Sequence, residues 1–184
     1  VHQTSWGIST RIIGALIMIH SDDQGLVLPP KAAPTQIVIV PIMQKGKDNS
    51  AVLEVAGRMK TDLSAQFSVH LDDREGYSAG YKFNDWEVQG IPLRIELGPR
   101  DLSEGVCVLA RRDGEKTRIP LDSVMESARQ SLDAFQFALY ARSAEFLKIN
   151  TYLENEYSVF QESLDSKGGF FQLHWCGEAA CENR

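Results

Sequence analysis

The sequence predicts an α/β domain built on a five-stranded mixed sheet with surrounding helices. Three observations predict it. Residues 35–42, TQIVIVPI, form an apolar, β-branched run, the pattern of a strand buried on both faces. A helical stretch and a second strand come next within about 35 residues, a βαβ unit whose right-handed crossover sets its two strands parallel. Further on, GVCVLAR and KTRIPL flank the turn RRDGE, which makes the final pair an antiparallel hairpin.

In chain order, the apolar residues Ile12, Ile13, Leu16 and Ile17 come first. LPPKAAP then interrupts regular structure, because Pro29, Pro30 and Pro34 have no backbone donor and stiffen the chain. The residues on the two sides of this connector are expected to belong to different structural units.

After the first strand, Asp48 or Asn49 caps a helix reaching about Gln66, with Val52, Val55, Ala56, Met59 and Leu63 on one face. FSVHLDD is the second strand, REGYSAG a turn, YKFNDWEVQ a short helix and PLRIELG the third strand. The hairpin completes the sheet. Asp122 or Ser123 opens a long helical region from Val124 to about Leu164, interrupted at Asn150 and Thr151. DSKGG ends it, and FFQLHWC begins one more strand in a small terminal module.

Composition sets the class. The chain has 184 residues, 43% of them hydrophobic and 24% charged, enough for one main domain with an appendage. No apolar run approaches the roughly 20 residues of a membrane span, and no secretory leader is legible. Three cysteines do not make a disulfide framework, so a reducing, intracellular setting is expected. The net charge of −6 argues against nucleic-acid binding over the average surface, yet Lys82 to Lys116 concentrates basic residues near aromatic ones.

Several polar residues carry plain structural readings. Cys107 lies inside the apolar strand VCVLA with nothing nearby to lower its pKa, which makes it packing rather than a nucleophile. His70 reads as structural, as does His20 at a helix end. Cys176 and Cys181 are spaced like one arm of a metal site. A chance reduced pair or an oxidisable dithiol fits the same spacing. His174 is the nearby substitute ligand, in a segment that reads as strand.

The blocks TSWGISTRIIGALIMIHSDDQGLVLPPKAAPTQIVIVPI, GYKFNDWEVQGIPLRIELGPRDL and ARRDGEK carry a family resemblance. From His2 to Glu182, in unbroken order, the chain resembles the prolyl-tRNA synthetases of the archaeal and eukaryotic type, class II enzymes with a zinc-binding C-terminal extension. The resemblance implies a C-terminal fragment of the proline-tRNA ligase, without the first two class II motifs and so unable to aminoacylate alone. It implies three parts: 1–34, the last piece of the catalytic domain with the third class II motif; 35–146, an anticodon-binding domain; and 147–184, the start of a truncated α+β zinc module. Ser21 departs from the glycine usual in the family.

Residue by residue, the resemblance makes Arg11 the third-motif arginine that grips the triphosphate of ATP, which the parent enzyme would bind with Mg2+. A helix N-terminus favours anions, and a guanidinium adds forked donors. Trp6 and Gly7 would line the proline and adenylate pocket, with Ser9 and Thr10 donating hydroxyls and capping the helix that starts at Arg11, which Ile12, Ile13, Leu16 and Ile17 would anchor in the core. Cys176 and Cys181 would be half of a four-cysteine structural Zn2+ site.

The middle domain would read tRNA(Pro), whose anticodons share two guanines. Guanine readers combine Arg or Lys with carboxylates, and splayed bases stack on aromatic rings. The expected contacts are Lys82, Phe83, Arg94, Glu96, Arg100 and Asp101, supported by Arg74 and Glu75. The competing reading is structural: Phe83 and Trp86 as core on a short helix, and Arg94 paired with Glu96 across one sheet face. The family further implies a homodimer in the cytoplasm, with no membrane. The alternatives are a freestanding tRNA-binding or regulatory relative without catalysis, and an α/β binding domain unrelated to tRNA.

Overall fold

The computed structural model describes residues 3–44 and 46–182, with side chains as far as residue 180. The chain divides into two compact units, one up to Leu139 and one from Tyr140.

The first unit holds α1 (Arg11–His20), β1 (Ile37–Pro41), α2 (Ser50–Leu63), β2 (Val69–Leu71), α3 (Ala79–Val88), β3 (Leu93–Leu97), α4 (Pro99–Ser103), β4 (Val106–Arg111) and β5 (Lys116–Pro120). A single 3-10 turn then leads into α5 (Val124–Ile149). The five strands form one sheet in the order β2-β1-β3-β4-β5. β2, β1 and β3 run parallel, and β4 and β5 are antiparallel additions. This is the mixed sheet and hairpin expected from the sequence.

The period of two along β1 separates two environments. Ile37 and Ile39, with Leu93, Ile95 and Leu97 of β3, face a core closed by Val52, Ala56, Met59 and Leu63 of α2 and by Val124, Ala128 and Leu132 of α5. Each such side chain contributes about 1.5–3 kcal/mol through burial. Val38 and Val40 face the other way, under Ile91, Phe83 and Trp86. α3 begins where the Ser78 hydroxyl accepts the Tyr81 amide at 3.2 Å, a side-chain cap that fixes which helical face meets the sheet.

The segment after α1 packs on the sheet end of this unit. The Leu26 amide donates to the Val88 carbonyl at 3.0 Å and the Leu28 amide to the Gly90 carbonyl at 3.2 Å. Arg112, whose side chain is 2% exposed, reaches Asp22 at 2.6 Å and donates from Nε to the carbonyls of Leu26 (2.9 Å) and Glu87 (3.0 Å). α1 differs from expectation: none of its residues is buried, and Ile12, Ile13 and Ile17 are exposed. An amphipathic helix needs a surface to cover its stripe, and none of the described residues supplies one.

The second unit holds β6 (Thr151–Leu153), α6 (Tyr157–Lys167), β7 (Phe170–Gln172) and the short α7 (Ala179–Glu182). β6 and β7 pair in parallel around α6. Phe171 packs on Tyr152 and Phe160, with ring centroids 5.3 and 5.4 Å apart. The helical region expected from Val124 to about Leu164 is interrupted at Asn150 and Thr151, as expected; the unexpected part is the extended β6 before α6 resumes the helix to Lys167. The strand expected through FFQLHWC ends at Gln172, leaving His174 outside it, with Nε2 2.9 Å from Asn155 Oδ1.

Candidate nucleic-acid interface

Register brings the basic and acidic residues of the sheet to one face. Val38 pairs with Arg94, Arg94 with Ala110 and Ala110 with Lys116; in the next row Val40, Glu96, Val108 and Arg118 align. α3 covers the two valines. Past β3 the face opens to solvent, with Lys116 and Arg118 about half exposed.

Arg94 organises this face. Nε and Nη2 both donate to Glu96 Oε1, at 3.0 and 2.9 Å, and Nη1 donates to the Phe83 carbonyl at 3.3 Å. Its guanidinium carbon lies 4.3 Å from the centre of the Phe83 ring. Lys116 Nζ reaches the same Glu96 oxygen at 3.4 Å. A recess of about 150 Å3 lies beside them, lined among others by Trp86, Glu87, Arg94, Arg112, Gly114 and Lys116. Fixed donors and acceptors around a recess with an aromatic wall suit a flat, hydrogen-bonding ligand.

A second cluster holds α3 from the opposite side. Asp72 is fully buried and accepts from Arg74 Nε at 2.9 Å, Arg74 Nη2 at 2.7 Å and the Trp86 indole at 2.7 Å. Lys82 Nζ donates to the Asp72 carbonyl at 2.9 Å and lies 3.5 Å from Oδ1. Burial pushes the Asp72 carboxyl up, but the hydrogen bonds from Arg74 and Trp86 and the Lys82 charge hold it well below the ordinary carboxylate range. Arg74 Nη2 also reaches Asp85 at 2.8 Å.

Residues 36–131 match the protein family described as "Anticodon binding domain". The chain belongs to this family. Along its whole length it is also similar to curated enzymes. It is 43% identical over 182 residues to "Proline--tRNA ligase" of Alkaliphilus oremlandii, covering 98% of the chain and 37% of that protein. It is 50% identical over 185 residues to that of Chlorobium phaeobacteroides, covering 99% and 38%. For the ligase of the archaeon Cenarchaeum symbiosum the identity is 42% over 184 residues, again 99% and 38%. The chain thus spans less than two fifths of the length of these relatives.

Within the anticodon-binding domain, the expected contact residues fall into distinct places. Arg94 and Glu96 share one sheet face, as their spacing requires, but their side chains are only 13% and 11% exposed. Phe83 turns its ring to Arg94 and the core below, so the guanidinium covers the face expected to take a base. Lys82 corrects the expectation outright. Its side chain is 1% exposed, and it balances Asp72 inside the domain instead of reaching RNA.

Asp101 Oδ2 accepts the Gly98 amide at 3.0 Å, and Oδ1 lies 3.3 Å from Arg118. It therefore fixes the start of α4 and borders the same face. Arg100 is exposed beside it. Arg74 and Glu75 lie past β2, away from the recess, with Arg74 bound to Asp72. Glu87 and Lys116, which line the recess, were not among the expected contacts. Only strand register and the turn at Gly114 bring Lys116 into the same row as Arg94, with Ala110 between them, and no local pattern announces that.

The remaining site residues lie outside this domain. Trp6, Gly7, Ser9, Thr10 and Arg11 are all exposed. Thr10 occupies the N-cap position of α1 without a side-chain cap bond, so the expected hydroxyl cap is not formed. Cys176 is exposed in the loop before α7. Cys181 lies in α7 with its side chain outside the described residues. Among the described residues, no group of three or more His, Cys, Asp or Glu is arranged to hold a metal ion. Cys107 is buried, and that burial, helped by the Asp101 charge, pushes its thiol up to about 11; it packs, as expected. No described helix is long and apolar enough to cross a membrane.

Proposed function

We propose that this chain is the C-terminal part of a cytoplasmic proline-tRNA ligase, in which the 35–146 domain reads the anticodon of tRNA(Pro). The parent enzyme activates proline with ATP and transfers it to the tRNA. The similarity to proline-tRNA ligases along the whole chain supports the choice of amino acid. The observation that carries the recognition role is the meeting of largely buried Arg94 and Glu96 with half-exposed Lys116 beside a recess walled by Trp86.

The chemistry comes from the edges of guanine. Its pairing edge offers two neighbouring donors to a carboxylate, for which Glu87 and Glu96 are the acceptors at hand. Its other edge offers two acceptors, which a guanidinium or ammonium satisfies; Arg94 and Lys116 serve there. Arg94 is already held flat between Phe83 and Glu96, so little side-chain freedom is lost when a base arrives.

Arg11, at the start of α1, would meet the ATP triphosphate, with Trp6, Gly7, Ser9 and Thr10 around the proline and adenylate pocket. The exposed apolar stripe of α1 supports this reading, because a helix so patterned packs on a larger catalytic body, which would also hold the Mg2+ of ATP. Cys176 and Cys181 would give two thiolates of a four-ligand structural zinc site. The parent enzyme is read as a homodimer.

The test is binding of the chain to a tRNA(Pro) transcript and to one with its second and third anticodon bases changed, at matched salt. A preference of at least about ten-fold for the native anticodon is expected, from ~1–3 kcal/mol of discrimination per base. Lys116→Ala should shrink that preference. Equal affinity for the two transcripts overturns the assignment.

A further inference from the structure

A second feature lies at the other end of α3. Tyr77 and Tyr81 stack with ring centroids 4.8 Å apart and planes inclined by 20°. Both are half exposed, at 50% and 52%. Helical packing does not require this pair, since the core-facing residues of α3 are Lys82, Phe83 and Trp86. The Arg74 guanidinium sits 5.4 Å from the centre of the Tyr77 ring and is itself fixed by Asp72 and Asp85.

Tyr77 also forms a wall of an open groove of about 620 Å3 past the C-terminal ends of β1 and β2, lined among others by Gln44, Asn49, Glu75 and Ser78. Ligands of open α/β sheets collect at this end of the strands. Asn49 is fully engaged in shaping the loop, accepting the Gln44 amide at 2.9 Å and donating to the carbonyls of Gln44 and Lys47. The groove is therefore a built surface with an aromatic wall and a cation behind that wall.

We infer that the Tyr77–Tyr81 pair is a stacking platform for one unpaired nucleobase next to those read at the Arg94–Lys116 recess. The inference rests on the anticodon reading proposed for that recess. Three features select a nucleobase over a peptide side chain. The rings are already parallel, so a third flat ring extends the stack without reorganisation. Tyr81 stacks on the Tyr77 ring and the Arg74 guanidinium lies over that ring, so the face of the pair that a base can extend is the outer face of Tyr81. Finally, α3 is shared with the Arg94 face: Trp86 touches Asp72 on one side and lines the recess on the other. The platform thus continues the interface on the same ten-residue helix, about 15 Å long, a span that two or three unpaired nucleotides bridge.

The experiment uses the chain and a 17-nucleotide anticodon stem-loop of tRNA(Pro), with 2-aminopurine placed in turn at each loop position. One position outside the two guanines should be quenched on binding. Tyr81→Ala should abolish that quench and weaken binding roughly five- to a hundred-fold, the range for one stacked base. Tyr81→Phe should retain both within about two-fold, since stacking needs only the ring. Tyr81→Leu, which keeps apolar bulk without a π face, should behave like Tyr81→Ala; far-UV circular dichroism confirms that each variant is folded. Undiminished quenching and affinity in Tyr81→Ala and Tyr81→Leu, with anticodon discrimination intact, overturn the platform alone. Loss of discrimination in the unaltered chain overturns the anticodon reading, and the platform with it.

Discussion

Arg94 and Phe83 are stacked, the guanidinium carbon 4.3 Å from the ring centre, while Glu96 and the Phe83 carbonyl take three of the five guanidinium N–H groups. Residues 11 apart in sequence thus present one rigid, flat cation at the edge of the recess. A lysine keeps the charge but has neither the plane nor the fork.

Arg94→Lys is accordingly expected to weaken tRNA(Pro) binding by at least about five-fold, within the ~1–3 kcal/mol of a stacked base contact. The loss should persist at higher salt, because it removes shape more than charge. Filter binding at two ionic strengths reads both features. Restoration of wild-type affinity by raising the lysine variant's counter-ion attraction at low salt would show that charge alone matters.

Asp72 and Lys82 form a buried pair, and removal of one partner leaves the other uncompensated. Asp72→Asn should cost about 3–5 kcal/mol near neutral pH, read as a lower urea midpoint. The pH dependence has a definite sign. The folded carboxyl lies below its unfolded value of about 3.9, so its stabilisation is complete above that value and fades as pH falls through the acid range toward the folded value. The variant should therefore show a shallower acid decline than the wild type. Identical slopes for the two proteins between about pH 5 and 2 would refute the role given to Asp72.

The sheet was legible because its signals are local. TQIVIVPI is a continuous apolar run, and the hairpin announces itself by two strands around a polar turn. β6 was not, since Thr151–Leu153 is three residues long and lies between stretches of helical periodicity. Lys82 misled because charge in a helix ordinarily marks solvent. Its position four residues before Trp86, on one helical face, was the available clue, as was an Asp-rich strand end to pair with it. The alignment of Arg94 and Lys116 across the intervening β4 depends on register, which the sequence encodes only through the burial of every strand at once.

The segment from Asp22 to Leu28 offers a last test, because close backbone contact and a buried arginine hold it together. Gly90 has φ +76°, and a Cβ there would lie 2.6 Å from the Leu26 carbonyl oxygen. Gly25, at φ +136°, meets Val88 backbone equally closely. An alanine at Gly90 must therefore adopt a strained conformation, costing about 1–3 kcal/mol, and push the segment away. Arg112→Lys removes the fork that joins Asp22 to the carbonyls of Leu26 and Glu87, so it should loosen the same place by a different route. Hydrogen exchange at the Leu26 and Leu28 amides reads both variants, and protection should drop by roughly ten-fold or more. Gly57→Ala serves as the control: no atom lies within 4 Å of its added Cβ, and the site is helical, so a gain of about 0.5–1 kcal/mol is expected without change at Leu26. Unaltered protection in Gly90→Ala would mean that the close approach does not hold the segment in place.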